Sequence, residues 1–467
     1  MSDRLASGHE PLDEVLGGGL PANAISLIMG MPGTGKTIMA QQYVFQNAST
    51  QRPAVYFSTV SEPLEKIVRF GQSLQFFDRD AIGRSVFYED LGEALSSGGL
   101  AGASRRITAA LEERRPQLIV IDSFKALYAF ADTYVEFRKF LHELAGRLSA
   151  APMASLWIGE YEDAERGSRP EFAVADAILD LTMERFGQRE IRFLTVRKLR
   201  GGAYQSGQHS YRLSSSGVHL FPRLADTRIE APYALGEVRL SSGIPALDGL
   251  LADGYWPGAS TLIVGPSGSG KTLMGLHFIF HGARHGQPGV IASLQENTTQ
   301  LDRMAHGFGW SVSEPGVEVL YRSPVDIYID EWVYELMAAV ERTGARRVLI
   351  DSLADLRMAA PDETRFREFA YSLTQRFSRQ GVSIWMTMEI PDLFHPERLS
   401  ESALSHLSDN VVLLKYVQDD LSIQRAVSVM KSRASYHDPA IRPFLIGRDG
   451  IMLTDGLRPP DPAATAD

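Results

Sequence analysis

A phosphate-binding loop occurs twice in this chain, and that repetition restricts the possible folds more than any other feature. The first copy reads Gly30-Met31-Pro32-Gly33-Thr34-Gly35-Lys36-Thr37 and the second Gly265-Pro266-Ser267-Gly268-Ser269-Gly270-Lys271-Thr272. Both satisfy G-x-x-x-x-G-K-[ST], and each lies between an apolar, strand-like run and a helical stretch, the context that the motif requires. The glycines let the backbone curl so that successive N–H groups face phosphate oxygens, and the helix that follows adds the positive end of its dipole. Lys36 and Lys271 would reach the β- and γ-phosphates of a nucleotide, and Thr37 and Thr272 would offer a hydroxyl to Mg²⁺. At average residue usage a single chance match has a probability of roughly 1–2% in a chain of this size. Two matches at corresponding places imply a double nucleotide-binding protein.

The repetition continues on both sides of the loop. Arg4-Leu5-Ala6-Ser7-Gly8 and Leu12-Asp13 return as Arg239-Leu240-Ser241-Ser242-Gly243 and Leu247-Asp248. Ile121-Asp122-Ser123 returns as Ile350-Asp351-Ser352, and Lys198-Leu199-Arg200 as Lys431-Ser432-Arg433. The order is kept at an offset of about 230 residues, too long for a solenoid period, so the chain carries two tandem copies of one domain. The expected boundaries are 1–228 and 236–457, joined near Ala225–Gly236, with a short Pro/Ala-rich tail at 458–467 expected to be disordered. Within each copy short apolar runs (Ile25–Gly30, Ala54–Ser58, Leu118–Ile121 and Met153–Ile158 in the first) alternate with amphipathic helical segments. Alternation of this kind predicts an α/β fold, a largely parallel sheet with helices on both faces. Toward each C-terminal end consecutive strands appear, Ala177–Leu181 with Arg192–Val196 and Asn410–Leu414 with Gln424–Met430, which predicts a hairpin at the sheet edge.

Composition removes several classes of function. The chain has no cysteine, which excludes disulfides, thiolate metal sites and cysteine nucleophiles. The opening MSDRLASGHE lacks the apolar core of a signal peptide, and no apolar run approaches the length of a membrane span, so a soluble, cytoplasmic protein with no membrane partner is expected. The net charge is −10, with neither half basic, which argues against a specific nucleic-acid partner.

Asp122 and Asp351 end apolar runs buried on both sides. A carboxylate there could cap a helix, but behind a phosphate-binding loop it suits the Mg²⁺ shell beside Thr37 or Thr272. The base that polarises water should follow the strand after the loop's helix. Glu296 occupies that segment in the second copy; Glu62 is the first-copy candidate, one position later counted from the downstream helix. Either could instead serve the first turn of that helix. Only eight lysines occur, and Lys36, Lys271, Lys198 and Lys431 fall at matched positions. Lys198/Arg200 and Lys431/Arg433 occupy alternate positions of a strand and so share a face, where fixed cations suit the γ-phosphate of a neighbouring subunit's nucleotide. The alternative is an ordinary solvated strand.

These residues resemble the KaiC family of RecA-like ATPases, from about Arg4 to Ile451. The likeness rests on both loops, both Ile-Asp-Ser segments, Lys198-Leu199-Arg200-Gly201 and the run from Lys431 to Asp438. It implies two tandem RecA-like P-loop NTPase domains, ATP and Mg²⁺ as cofactors, and homo-hexameric double rings with ATP at the subunit interfaces. It also implies signalling or clock-type partners. Gln295-Glu296 is similar to the family's paired catalytic glutamates with the first replaced, whereas in the first domain the pair aligns with Val60-Ser61. The resemblance further implies serine autokinase activity in the second domain. Ser405 takes the phosphoacceptor position, Ser400 a second one, and His406 stands where the family has a threonine. The short tail departs from the longer one through which clock members engage an activating partner.

Overall fold

A computed structural model describes residues 4–60, 63–165, 168–224, 236, 238–325, 327–360, 362–390, 408–419, 422–433 and 435–454. The chain divides into two compact units, Met1–Arg223 and Leu224–Asp467, each with its own nine-stranded sheet.

The first unit contains β1 (Ile25–Gly30), α1 (Lys36–Asn47), β2 (Ala54–Ser58), α2 (Leu64–Gly71), β3 (Val86–Asp90), α3 (Gly92–Arg114), β4 (Leu118–Asp122), α4 (Tyr134–Ala150) and β5 (Ala154–Gly159). Four antiparallel strands follow: β6 (Ala177–Phe186), β7 (Arg189–Leu199), β8 (Gln208–Ser214) and β9 (Gly217–Phe221). The sheet order is β9-β8-β7-β6-β1-β5-β4-β2-β3, with the five strands from β1 to β3 parallel. The second unit repeats this plan. It contains β10 (Ser260–Gly265), α5 (Lys271–Arg284), β11 (Gly289–Ser293), α6 (Thr298–His306), β12 (Val317–Tyr321), α7 (Ile329–Thr343), β13 (Arg347–Asp351), α8 (Leu353–Ala359), α9 (Glu363–Arg379) and β14 (Ser383–Glu389). The strands β15 (Asn410–Asp419), β16 (Ser422–Ser432), β17 (Arg442–Gly447) and β18 (Gly450–Leu453) complete it. Its order, β18-β17-β16-β15-β10-β14-β13-β11-β12, matches the first sheet strand for strand.

The parallel strands are apolar at successive positions because both faces of the sheet are covered. Ala54 and Tyr56 of β2 pack with Met39, Tyr43 and Val44 of α1 on one side; Val55 and Phe57 pack with the core built on α3 and α4 on the other. In the second unit β11 divides in the same way, Ile291 toward α5 and Val290 with Ala292 toward α7 and α9. Phe278 of α5 stacks on Trp385 of β14, centroids 4.4 Å apart.

One expectation needs correction. The hairpins β6–β7 and β15–β16 are not at the sheet edge: β6 pairs in parallel with β1 and β15 with β10, and a second hairpin in each unit forms the margin. The outer edge of β7 and of β16 still offers backbone N–H and C=O groups, and β8 and β17 pair with them. The helix α3 carries no clear signal in the sequence. Its sequence is rich in Gly and Ser, poor helix formers, and Gly99 breaks it with φ 55° and ψ −150°. The join at 225–235 and the tail at 458–467 lie outside the described residues.

Candidate functional site

Each phosphate-binding loop connects the central strand of its sheet to the helix behind it. Gly35 and Gly270, with φ 87° and 101°, take the left-handed conformation that turns the chain into α1 and α5. A side chain there would be strained whatever the space around it. The lysine that follows is folded back over its loop: Lys36 Nζ donates to the Met31 carbonyl at 2.9 Å, and Lys271 Nζ to the Pro266 carbonyl at 2.8 Å. Burial pulls both ammonium groups below the usual lysine range, against the opposing charges of Glu160 and Asp122 in one case and of Glu389, Asp351 and Glu296 in the other.

The acidic strand ends lie beside these loops. Thr37 Oγ1 donates to Asp122 Oδ2 at 2.8 Å, and Thr272 Oγ1 donates to Asp351 Oδ2 at 2.7 Å. A hydroxyl and a carboxylate in contact can hold Mg²⁺ jointly, leaving its other positions to phosphate and water. In both units the peptide between this aspartate and the next serine is cis. The further support differs. Tyr56 Oη donates to Asp122 Oδ2 at 2.6 Å, whereas Asp351 takes its second hydroxyl from Thr387. Burial pushes the Asp351 carboxyl above the usual range, opposed by Thr387, Thr272 and the charge of Lys271.

Glu296 follows β11 by three residues, close enough to Asp351 and Lys271 to feel both charges. Its Oε2 is buried without a hydrogen-bond partner, and burial followed by repulsion from Asp351 pushes its pKa up. An orphaned carboxylate oxygen beside a lysine and a metal-type aspartate fits a site built to meet a nucleotide, Mg²⁺ and water. The preceding Gln295 points elsewhere, its Nε2 donating to Asp355 at 2.9 Å. Counting on from the strand register gives the sequence counterpart of Glu296 in the first unit. Ser58 pairs with Asp122 as Ser293 pairs with Asp351, so Val60 and Ser61 correspond to Gln295 and Glu296. Val60 is exposed; Ser61 and Glu62 lie outside the described residues, as do Ser400 and Ser405.

The cation pairs are ordered by their own chain. Lys198 Nζ donates to the carbonyls of Phe172 and Ala173, both at 3.2 Å, and Arg200 contacts Asp176 at 3.2 Å. Lys431 Nζ donates to the Ser408 carbonyl at 2.7 Å, and Arg433 lies 3.9 Å from Asp409. The lysines are the last residue but one of β7 and β16, and Arg200 and Arg433 fall just past the strands, so alternate strand positions are not what aligns them. Proximity survives: burial first, then the neighbouring arginine, lowers the pKa of each lysine. Both arginines remain more than half exposed.

Two matched pairs escaped the sequence reading. Arg192 and Arg425, at equivalent registers, donate to the carbonyls of Gly33 and Gly268 at 3.3 and 3.1 Å and so brace the loops. Glu160 and Glu389, beside the loop glycines Gly30 and Gly265 at the end of the neighbouring strand, lie 3.4 and 3.8 Å from Lys36 and Lys271. A carboxylate ending a buried parallel strand was the available signal, since such ends face the ligand crevice of an α/β sheet. In the first unit a cleft of 710 Å³ lined by Gly33, Lys36, Thr37, Asp122 and Glu160 opens here, within the range of small-molecule sites. Among the described residues no three His, Asp or Glu side chains gather into a metal cage, and no helix is long and apolar enough to cross a membrane.

A loop, lysine, threonine and aspartate placed alike on two RecA-like sheets define a tandem P-loop ATPase. The chain belongs to the KaiC ATPase family, whose model matches residues 5–225 and again 240–457. It is 26% identical over 466 residues to the circadian clock oscillator protein KaiC of Rippkaea orientalis, covering 96% of this chain and 88% of that one. It is likewise 26% identical to the circadian clock oscillator protein KaiC 1 of Synechocystis over 467 residues, with the same two coverages. To the KaiC of Parathermosynechococcus lividus it is 27% identical over 471 residues, covering 97% of this chain and 85% of that one.

Proposed function

We propose that the protein is a nucleotide-driven signalling or timing ATPase that works as a homo-hexamer in the cytoplasm, with serine autokinase activity in its second unit. The observation that carries the reading is Glu296: a buried, unpartnered carboxylate oxygen beside Lys271 and Asp351. Bound Mg·ATP would supply the electrophilic γ-phosphoryl group. The loop N–H groups and Lys271 bind its phosphates, Thr272 and Asp351 hold the metal, and Glu296 takes the proton of the attacking water or serine hydroxyl. In the first unit Lys36, Thr37 and Asp122 have the corresponding tasks. Lys198/Arg200 and Lys431/Arg433 lie at the far end of each domain's sequence from its own loop, and their arginines, more than half exposed, would meet an adjacent subunit's nucleotide.

Autophosphorylation requires a hydroxyl in line with the leaving oxygen, and Ser405 is the assigned acceptor, with Ser400 secondary. Because His406 offers no hydroxyl, adjacent-residue double phosphorylation is not expected. Intact-mass spectrometry after incubation with Mg·ATP should show a single phosphate per chain, absent in Ser405→Ala while ATP hydrolysis continues. No phosphate after prolonged incubation would leave an ATP-gated scaffold as the function.

A further inference from the structure

The two sites differ in the number of carboxylates around the loop lysine. Lys271 feels three, Glu389, Asp351 and Glu296; among the described residues Lys36 feels two, Glu160 and Asp122. Asp122 is committed, accepting from both Thr37 and Tyr56 at the position suited to the metal. Glu160 is different. It follows β5, the strand between the loop strand β1 and the aspartate strand β4, so it stands over the middle of the phosphate crevice. Its Oε1 is 3.4 Å from Lys36 Nζ, the group that would meet the β- and γ-phosphates, and its side chain is 52% exposed. It can therefore meet water on one side and a nucleotide's terminal phosphate on the other.

We propose that Glu160 is a catalytic residue of the first site, orienting and deprotonating the attacking water in place of the glutamate that Ser61 replaces. This rests on the reading of that site as an ATPase. Before nucleotide arrives, Lys36 holds Glu160 as its counter-ion. When the lysine turns to the phosphates, the carboxylate is released beside the γ-phosphoryl group. The water oxygen bonds to the γ-phosphorus while the bond from phosphorus to the bridging oxygen breaks, its electron pair leaving with ADP. The water proton passes to Glu160 and from its exposed face to solvent. Glu389 holds the equivalent place in the second site, where Glu296 already performs the task.

The test uses the full chain with its second site silenced by Lys271→Ala. Turnover and the affinity for a fluorescent, non-hydrolysable ATP analogue are measured with and without Glu160→Gln. The expected result is a fall in turnover of about 10²-fold or more, with analogue affinity changed less than about threefold. The acid limb of the pH–rate profile should disappear in Glu160→Gln and remain, at reduced rate, in Glu160→Asp. With the first site silenced instead by Lys36→Ala, Glu389→Gln should cost the second site at least about tenfold less than Glu160→Gln costs the first. Turnover unchanged in Glu160→Gln, or lost only in proportion to affinity, would overturn the assignment and leave the glutamate a counter-ion. A Lys271→Ala chain that binds the analogue but hydrolyses nothing would refute the ATPase reading of the first site, and the role of Glu160 with it.

Discussion

The two units share a sheet order, a register and a loop geometry, yet they support the strand-end aspartate differently. In the first, Tyr56 reaches Asp122 from the strand on one side; in the second, Thr387 reaches Asp351 from the strand on the other. The second keeps Glu296 with an unpartnered oxygen, and in the first sequence the residue three beyond the paired Ser58 is Ser61, which lies outside the described residues. Duplication has thus preserved the loop with its lysine, threonine and aspartate, and allowed the residues around them to diverge. The backbone of a phosphate-binding loop works only in one conformation, whereas a proton acceptor can enter the same crevice from more than one strand end.

The strongest way to break this comparison is Glu296→Gln. It should lower second-site hydrolysis by about 10²–10⁴-fold, the usual worth of a positioned base, while nucleotide binding persists. Single-turnover measurements on a chain whose first site is silenced would read it. Loss of Glu62 causing the larger defect would instead mean that the first site uses its own post-strand glutamate.

Mixing chains tests whether each site borrows its cations. Arg433→Ala chains and Lys271→Ala chains, each inactive at the second site when alone, should partly recover activity together by pairing an intact loop with an intact arginine. Full activity of monomers at high dilution would rule out shared sites.

The pH profile offers a finer comparison. A base must be deprotonated to accept a proton, and burial holds the Glu296 pKa above the usual carboxylate value. Second-site turnover should therefore fall as pH drops, with a midpoint above the ordinary glutamate value of about 4.3. Glu296→Gln should remove that acid limb, and a limb that persists in the variant would count against Glu296 as the base.

The smallest effects concern the aspartate supports. Tyr56→Phe should destabilise the first unit by about 1 kcal/mol, the net worth of one hydrogen bond, and should weaken its Mg²⁺ dependence. Thr387→Val should do the same in the second unit. Thermal melts with and without Mg·ATP measure both, and equal effects of either variant on both sites would contradict the separation.

Much of this arrangement was legible along the chain. Gly30 to Thr37 and Gly265 to Thr272 must be contiguous because a single stretch of backbone makes the phosphate cradle. Asp122 and Asp351 could be read because a charge at the end of a buried apolar strand needs a purpose. What adjacency in sequence could not supply was the company these residues keep. Tyr56 lies 66 positions from Asp122 and Glu160 lies 124 from Lys36. Arg192 sits on a hairpin 159 positions from Gly33, and the hairpin's place inside the sheet, not at its edge, brings it there. Local pattern specifies segments that make their contacts within a few residues. Partners drawn from different strands meet only once the sheet order and register are set, and those are decided by the packing of the whole domain.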